Sequence, residues 1–229
     1  MSNIFSNVIG RKLVMSLSGL FLVLFVIFHA TMNLVVIFSP EAYDAICKFL
    51  GANWYALAAT AVLAFGFFVH IIYSIILTVA NKKARGTERY AMTSRPKIVS
   101  WASKNMFVLG VIVVGFAGLH MYQFWAKMQL VEIMYGHDWA MHTNIDPTMG
   151  SVLIKSYFAN PIIVAAYVIW IAALWFHLTH GFWSALQTIG FSNQKWVPRL
   201  ELAGKAIATL ACGMFMIVVL VIYAQSLCA

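Results

Sequence analysis

The amino-acid sequence predicts an all-α integral membrane protein, a bundle of five spanning helices. Three observations carry this. Of its 229 residues, 62% are hydrophobic and only 10% are charged, whereas soluble domains hold about 45–50% apolar and about 25% charged residues. Five apolar segments reach the roughly 20 residues that cross a hydrocarbon core of about 30 Å. Twelve of the 15 Lys and Arg residues gather at one end of the segments. A soluble enzyme, a disordered regulator and a disulfide-stapled secreted domain are excluded, because such a surface could not be wetted. The net charge of +8 is a topology signal rather than a nucleic-acid footprint.

The first span covers about residues 12–38 and follows Arg11 and Lys12. That basic pair imitates a secretory signal, but the apolar run is longer than a signal core. No small-x-small site closes it, so the span is read as retained. Ser39-Pro40 ends it. The second span, about 53–80, stops at Asn81-Lys82-Lys83, and the third covers about 105–126. The fourth, about 160–187, opens on Asn160-Pro161, and the fifth, about 202–226, follows Val197-Pro198. Proline and asparagine at these breaks are helix punctuation. Lipid offers the backbone no hydrogen bonds and no strand alternation is present, so all five are helical.

Orientation follows from the cations. Arg11, Lys12, Lys82, Lys83, Arg85, Arg89, Arg95, Lys97, Lys104, Lys195, Arg199 and Lys205 fall on one side. Only Lys48, Lys127 and Lys155 fall on the other, with Glu41, Asp44, Glu132, Asp138 and Asp146. The positive-inside rule then puts the N-terminus in the cytoplasm and the C-terminus outside. Trp54, Trp101, Trp125 and Trp183 sit near span ends, as interfacial belts do. The longest loop, about 127–159, is external and lies partly in the interface. Cys47, Cys212 and Cys228 are odd in number and lack CxxC spacing, which argues against a disulfide framework or a zinc site.

The chemistry rests with histidine. His29, His70, His120, and His177 with its neighbour His180, lie inside apolar helices, where an imidazole is costly without a partner. Any one of them could be a histidine hydrogen-bonded across helices. Depth argues for more. His29 lies about 27 Å beyond Arg11 along its helix and His120 about 24 Å beyond Lys104, at 1.5 Å per residue. His70 and His177, on helices running the other way, both lie about 15 Å from the cytoplasmic end. Two histidines at each of two levels, on four helices, is the geometry of two bis-histidine haems. A proton relay would need companion carboxylates, and none of the seven Asp and Glu residues falls mid-membrane. Gly66, Gly115, Ala117, Gly118 and Gly181 would make room for a macrocycle, or simply let helices pack.

The segment Phe176-His177-Leu178-Thr179-His180-Gly181-Phe182-Trp183-Ser184 resembles the F-H-x-x-x-G-x-W-S segment of a known family. Phe28-His29 with Asn33, Val69-His70-Ile71-Ile72-Tyr73 and Leu119-His120 follow the same order and spacing. That family is the five-helix, dihaem cytochrome b subunit of bacterial succinate dehydrogenases and fumarate reductases, and the resemblance spans the whole chain. It implies that His70 and His177 are axial ligands of a haem b nearer the cytoplasm, and that His29 and His120 hold the outer haem b. His177 matches the family ligand, which leaves His180 as a pocket residue behind it. Some members carry a glutamate two residues before this ligand, implicated in moving protons across the membrane. Here that position is Trp175, which puts such a path in doubt.

The resemblance also implies a function: a membrane anchor in the bacterial cytoplasmic membrane that binds a flavoprotein subunit and an iron–sulfur subunit. FAD and the iron–sulfur clusters belong to those partners. Electrons would pass between the clusters, the two haems and a quinone, with menaquinone the expected one, and the three-subunit complex could dimerise. The basic segment from Lys82 to Lys104 is the expected docking site, although positive-inside topology alone would explain its charges. For a quinone site near the outer face, Glu41 and Asp44 are the candidate proton acceptors, or else loop acids that keep that face non-basic. A quinone site on the inner side is the other option. Two further classes stay open. One is the dihaem subunit of another oxidoreductase, such as a hydrogenase or formate dehydrogenase; the other is a haem-free, histidine-lined transporter.

Overall fold

The computed structural model describes residues 7–85, 101–191 and 193–228. Among these described residues eight α-helices follow in order: α1 (Val8–Phe38), α2 (Pro40–Phe49), α3 (Trp54–Arg85), α4 (Trp101–Gln123), α5 (Gln129–Tyr135), α6 (Gly150–Phe158), α7 (Pro161–Thr188) and α8 (Val197–Cys228). Short 3₁₀ turns at Trp125–Lys127 and Gly136–Met141 flank α5. Five of these helices, α1, α3, α4, α7 and α8, are long and apolar enough to cross a membrane. Most of the docking segment expected between Lys82 and Lys104 lies outside the described residues.

Helix starts follow local chemistry. The Asn7 side chain accepts from the Ile9 N–H at 3.1 Å, Ser39 Oγ from Ala42 at 3.1 Å, and Asn160 from Ile162 at 2.9 Å. Each satisfies a donor that the first turn leaves without a partner. Pro40 and Pro161 occupy the first turn, where a missing N–H costs nothing. The same reasoning explains one difference from the sequence reading. Pro198 lies in the first turn of α8, so this helix begins at Val197, about a turn before the expected 202.

The long helices pack in a definite order. α7 lies against α1, α4 and α8, and α1 also contacts α3 and α8. Neighbouring side chains show that α1 runs antiparallel to α3, and α4 antiparallel to α7: Gly19 meets His70 and Phe21 meets Gly66, while Trp101 meets Phe176 and Phe116 meets Trp170. The principal core joins Val23, Tyr167, Ile171, Val218 and Ile222, and it continues through Val36 to Tyr43, Ile154 and Phe158. Among the long helices and within the described residues, α3 packs substantially on α1 alone. A seam therefore runs between α3 and α4, flanked by α1 and α7.

The connections at the far end, where α1 ends and α3 begins, fold into a cap. The stretch 127–159 is not an open loop: α5 and α6 occupy much of it. Buried Gln129 donates to the Gly51 carbonyl at 3.0 Å and accepts from Trp125 at 2.8 Å and Thr60 at 3.0 Å. Asp44, on α2, accepts the Ser151 N–H at 2.8 Å and the Ser151 hydroxyl at 2.7 Å. The carboxylate thus caps α6 from a distant element, where the helix dipole favours negative charge. Asp44→Ala leaves two donors of buried Ser151 without partners, and a loss of about 2 kcal/mol in stability is expected. Asp44→Asn still accepts the N–H and can donate to the hydroxyl, so it should lose less. Thermal unfolding of the detergent-solubilised chain ranks the two; equal melting temperatures for Ala and wild type would refute the capping role.

Candidate functional site

The seam between α3 and α4 is bordered by the histidines. At its far level the His29 and His120 rings lie 5.7 Å apart between centroids, at 82°. At the other level His70 and His177 lie 6.3 Å apart, at 71°. These are the pairs that the depth count groups. Their axial separation follows from two helices independently. Gly19 faces His70 and lies ten residues before His29, while Gly110 faces His177 and lies ten residues before His120. Each interval corresponds to about 15 Å of helix.

Hydrogen bonding around the rings assigns tautomers at two of the four. Tyr167 donates its hydroxyl proton to Gln123 Oε1 at 2.7 Å, so its oxygen is left to accept from His120 Nδ1 at 3.3 Å. Ser18 donates to the Met15 carbonyl at 3.1 Å, and its oxygen lies 3.4 Å from His70 Nδ1. With the proton on Nδ1 in both rings, Nε2 keeps the lone pair. Holding one ring nitrogen by a partner so that the other can bind a metal is the usual arrangement of ligating histidines. Asn33 donates to the His29 carbonyl at 2.8 Å, touches the ring at 3.4 Å and accepts from Tyr43 at 3.1 Å, tying His29 to the cap. His177 Nδ1 is buried without a hydrogen-bond partner.

Two imidazoles that shared one iron, with bonds of about 2 Å and about 1.1 Å from nitrogen to ring centre, would place their centroids about 6 Å apart, and the two ring separations are of that size. An open apolar groove lined by Ile112, Gly115, Phe116 and Leu119 lies on α4, and a Cβ added at Gly115 would meet nothing within 4 Å. Bare-metal chemistry has less support, since no three His, Cys, Asp or Glu side chains gather among the described residues.

His180 turns away from the pair that contains His177. Its ring lies against Trp183, 5.1 Å between centroids, in a cleft with Glu201 and Lys205. Glu41 is exposed and takes a hydrogen bond from Ser39 at 3.0 Å; its own backbone N–H and Ser39 hold the carboxyl below its ordinary range. Asp44 is engaged in capping α6, as above.

The acid that the sequence reading passes over as a site residue is Glu132. It is half-buried on α5 and accepts the Ala52 N–H at 2.7 Å, and burial raises its pKa above the ordinary value. Sequence spacing could not have singled it out, because its burial comes from the turn between α2 and α3, about 80 residues away. A raised carboxyl binds its proton more tightly in the folded state, so stability is fullest in acid. It falls as pH climbs from the ordinary carboxyl range through the raised value. Glu132→Gln retains the acceptor for Ala52 and removes the buried charge. Its melting temperature is expected to match or exceed that of wild type above pH 6, with a flatter pH profile. An unchanged profile would count against the burial argument.

No protein-family model matches the chain, and comparison with curated proteins and with solved structures gives no match.

Proposed function

We propose that this chain is the membrane anchor and electron-transfer subunit of a succinate:quinone oxidoreductase, binding two haems b. His29 and His120 would hold one, His70 and His177 the other. The observation that carries the reading is the pair of histidine contacts, at two levels on four helices, bordering a seam between α3 and α4. When bound, haem supplies a one-electron carrier whose potential depends on its ligands and on burial.

The chain's own residues do the rest. Tyr167 and Ser18 keep His120 and His70 in the tautomer that presents Nε2. Apolar side chains around the seam exclude water, and the interval of about 15 Å between levels breaks a barrier of about 30 Å into short steps. An electron that crosses the whole membrane works with or against about 2.3 kcal/mol per 100 mV. The basic end, oriented to the cytoplasm, would meet the flavoprotein and iron–sulfur partners, and menaquinone is the expected quinone. The order and spacing of the histidine motifs support this class over other dihaem subunits.

A dithionite-reduced minus oxidised spectrum of the purified chain tests the proposal. The expected result is a b-type signal with two haems per chain by pyridine haemochrome assay. A flat spectrum would overturn it in favour of the transporter reading. Copurification with hydrogenase or formate dehydrogenase subunits would move it to another oxidoreductase.

A further inference from the structure

Side chains from three helices connect the far histidine level to the cap. Asn33, one turn beyond His29 on α1, donates to the His29 carbonyl at 2.8 Å, and the same amide nitrogen stands 3.4 Å from Nδ1 and 3.5 Å from Nε2 of the ring. The amide oxygen accepts from the Tyr43 hydroxyl at 3.1 Å. Tyr43 comes from α2 and is 7% exposed; burial raises its hydroxyl well above the ordinary range, so it stays a donor. α6 closes over it at Gly150, where an added Cβ would come within 3.0 Å of Tyr43 Cε1. Two contacts therefore decide which way the Asn33 amide points. The His29 carbonyl requires nitrogen on its side, and Tyr43 requires oxygen on the other. With both made, the imidazole meets an amide N–H, which cannot accept a proton from Nδ1. His120 and His70 each present Nδ1 to a hydroxyl oxygen instead.

We propose that Tyr43 is a positioning residue for His29: its hydroxyl fixes the end of the Asn33 amide that meets the imidazole, so that the α2–α6 cap sets the hydrogen bonding of the far histidine level. Without the hydroxyl, the amide is free to turn its oxygen toward Nδ1. An oxygen there accepts the Nδ1 proton, favours that tautomer and makes Nε2 the more basic nitrogen. A more basic axial nitrogen would favour oxidised iron and lower its potential. The effect on a potential rests on the function proposed above; the orientation of His29 does not.

The test uses the full chain as purified, in nanodiscs, and reads the form it takes. A chain with two haems is titrated: Tyr43→Phe, which removes one oxygen and keeps the buried ring, should lower the potential of the His29–His120 haem and leave the other in place. One hydrogen bond is worth about tenfold in preference, which is about 59 mV for one electron. A haem-free chain, isotope-labelled at histidine nitrogen, is read by nuclear magnetic resonance: Tyr43→Phe should raise the Nδ1–H share of His29 over Nε2–H by the same factor. In either form Asn33→Ala, which takes the N–H from the ring, should move the signal in the same direction. Tyr43→Phe should add nothing in that background, because the amide that carries its effect is gone. Asp44→Ala, which loosens the cap and keeps the hydroxyl, should leave the signal where it was. An unmoved signal in Tyr43→Phe, additive effects with Asn33→Ala, or an equal shift in Asp44→Ala would overturn the proposal. An unmoved signal in Asn33→Ala would do so even where Tyr43→Phe does not fold. A haem-free chain with the His29 shift refutes only the electron-transfer function; a two-haem chain without the shift refutes only this role of Tyr43.

Discussion

If the chain holds the two haems proposed for it, replacing His177 with alanine is expected to reduce them to one, and His70→Ala should remove the same haem. The two rings lie 6.3 Å apart on helices α7 and α3, and one imidazole alone would leave a bound haem with one protein ligand fewer. His29→Ala and His120→Ala should each deplete the other haem, identified by a different band in the reduced spectrum. The levels are about 15 Å apart, ten residues of helix, so each loss should leave the remaining pair in place. Redox titration of the four variants checks the grouping. Spectrally different losses in His70→Ala and His177→Ala would refute it. His180→Ala should retain both haems, because its ring lies in the cleft with Trp183 and not in the seam.

A second large effect is expected where no ligand is altered. Gly19 lies on α1 opposite His70, and a Cβ there would come within 3.1 Å of the His70 ring carbon Cε1 and 3.4 Å of Nδ1. Gly19→Leu must push the imidazole aside or separate α1 from α3. It also crowds Ser18, whose hydroxyl meets Nδ1. Overpacking of this kind costs about 1–3 kcal/mol, and here the flexible partner is the ring itself. The expected outcome is loss of the His70–His177 haem with the His29–His120 haem preserved. Gly213→Ala is the control, since a Cβ there meets nothing within 4 Å, and it should keep both. Retention of two haems with unshifted potentials in Gly19→Leu would show that this contact does not position His70.

The contrast between Gly19 and His70 shows what was legible in the sequence. A histidine in an apolar helix stands out because hydrocarbon penalises it, so the candidate ligands could be found by counting. Depth could be counted too, because helical rise is constant. Asn33 was visible four residues after His29, one turn along the same face. Gly19 was not, because its importance arises from α3 lying against α1. Tyr167 meets His120, and donates to Gln123 beside it, only through the packing of α7 on α4. Glu41 and Asp44 illustrate the opposite case. Both were conspicuous acids, and tertiary contacts engage one in a cap and leave the other in solvent.

By itself the sequence determined the solvent, the number of spans and the residues an apolar medium makes expensive. Those follow from composition and period, which need no knowledge of neighbours. Only the tertiary structure decided which helices touch, where the α3–α4 seam opens and which ring nitrogens are free. It also decided that α2, α5 and α6 close the far end and bury Glu132 there. These depend on contacts between residues dozens to a hundred positions apart. In lipid, where apolar surface alone does not select a partner, such contacts are chosen by shape and hydrogen bonding.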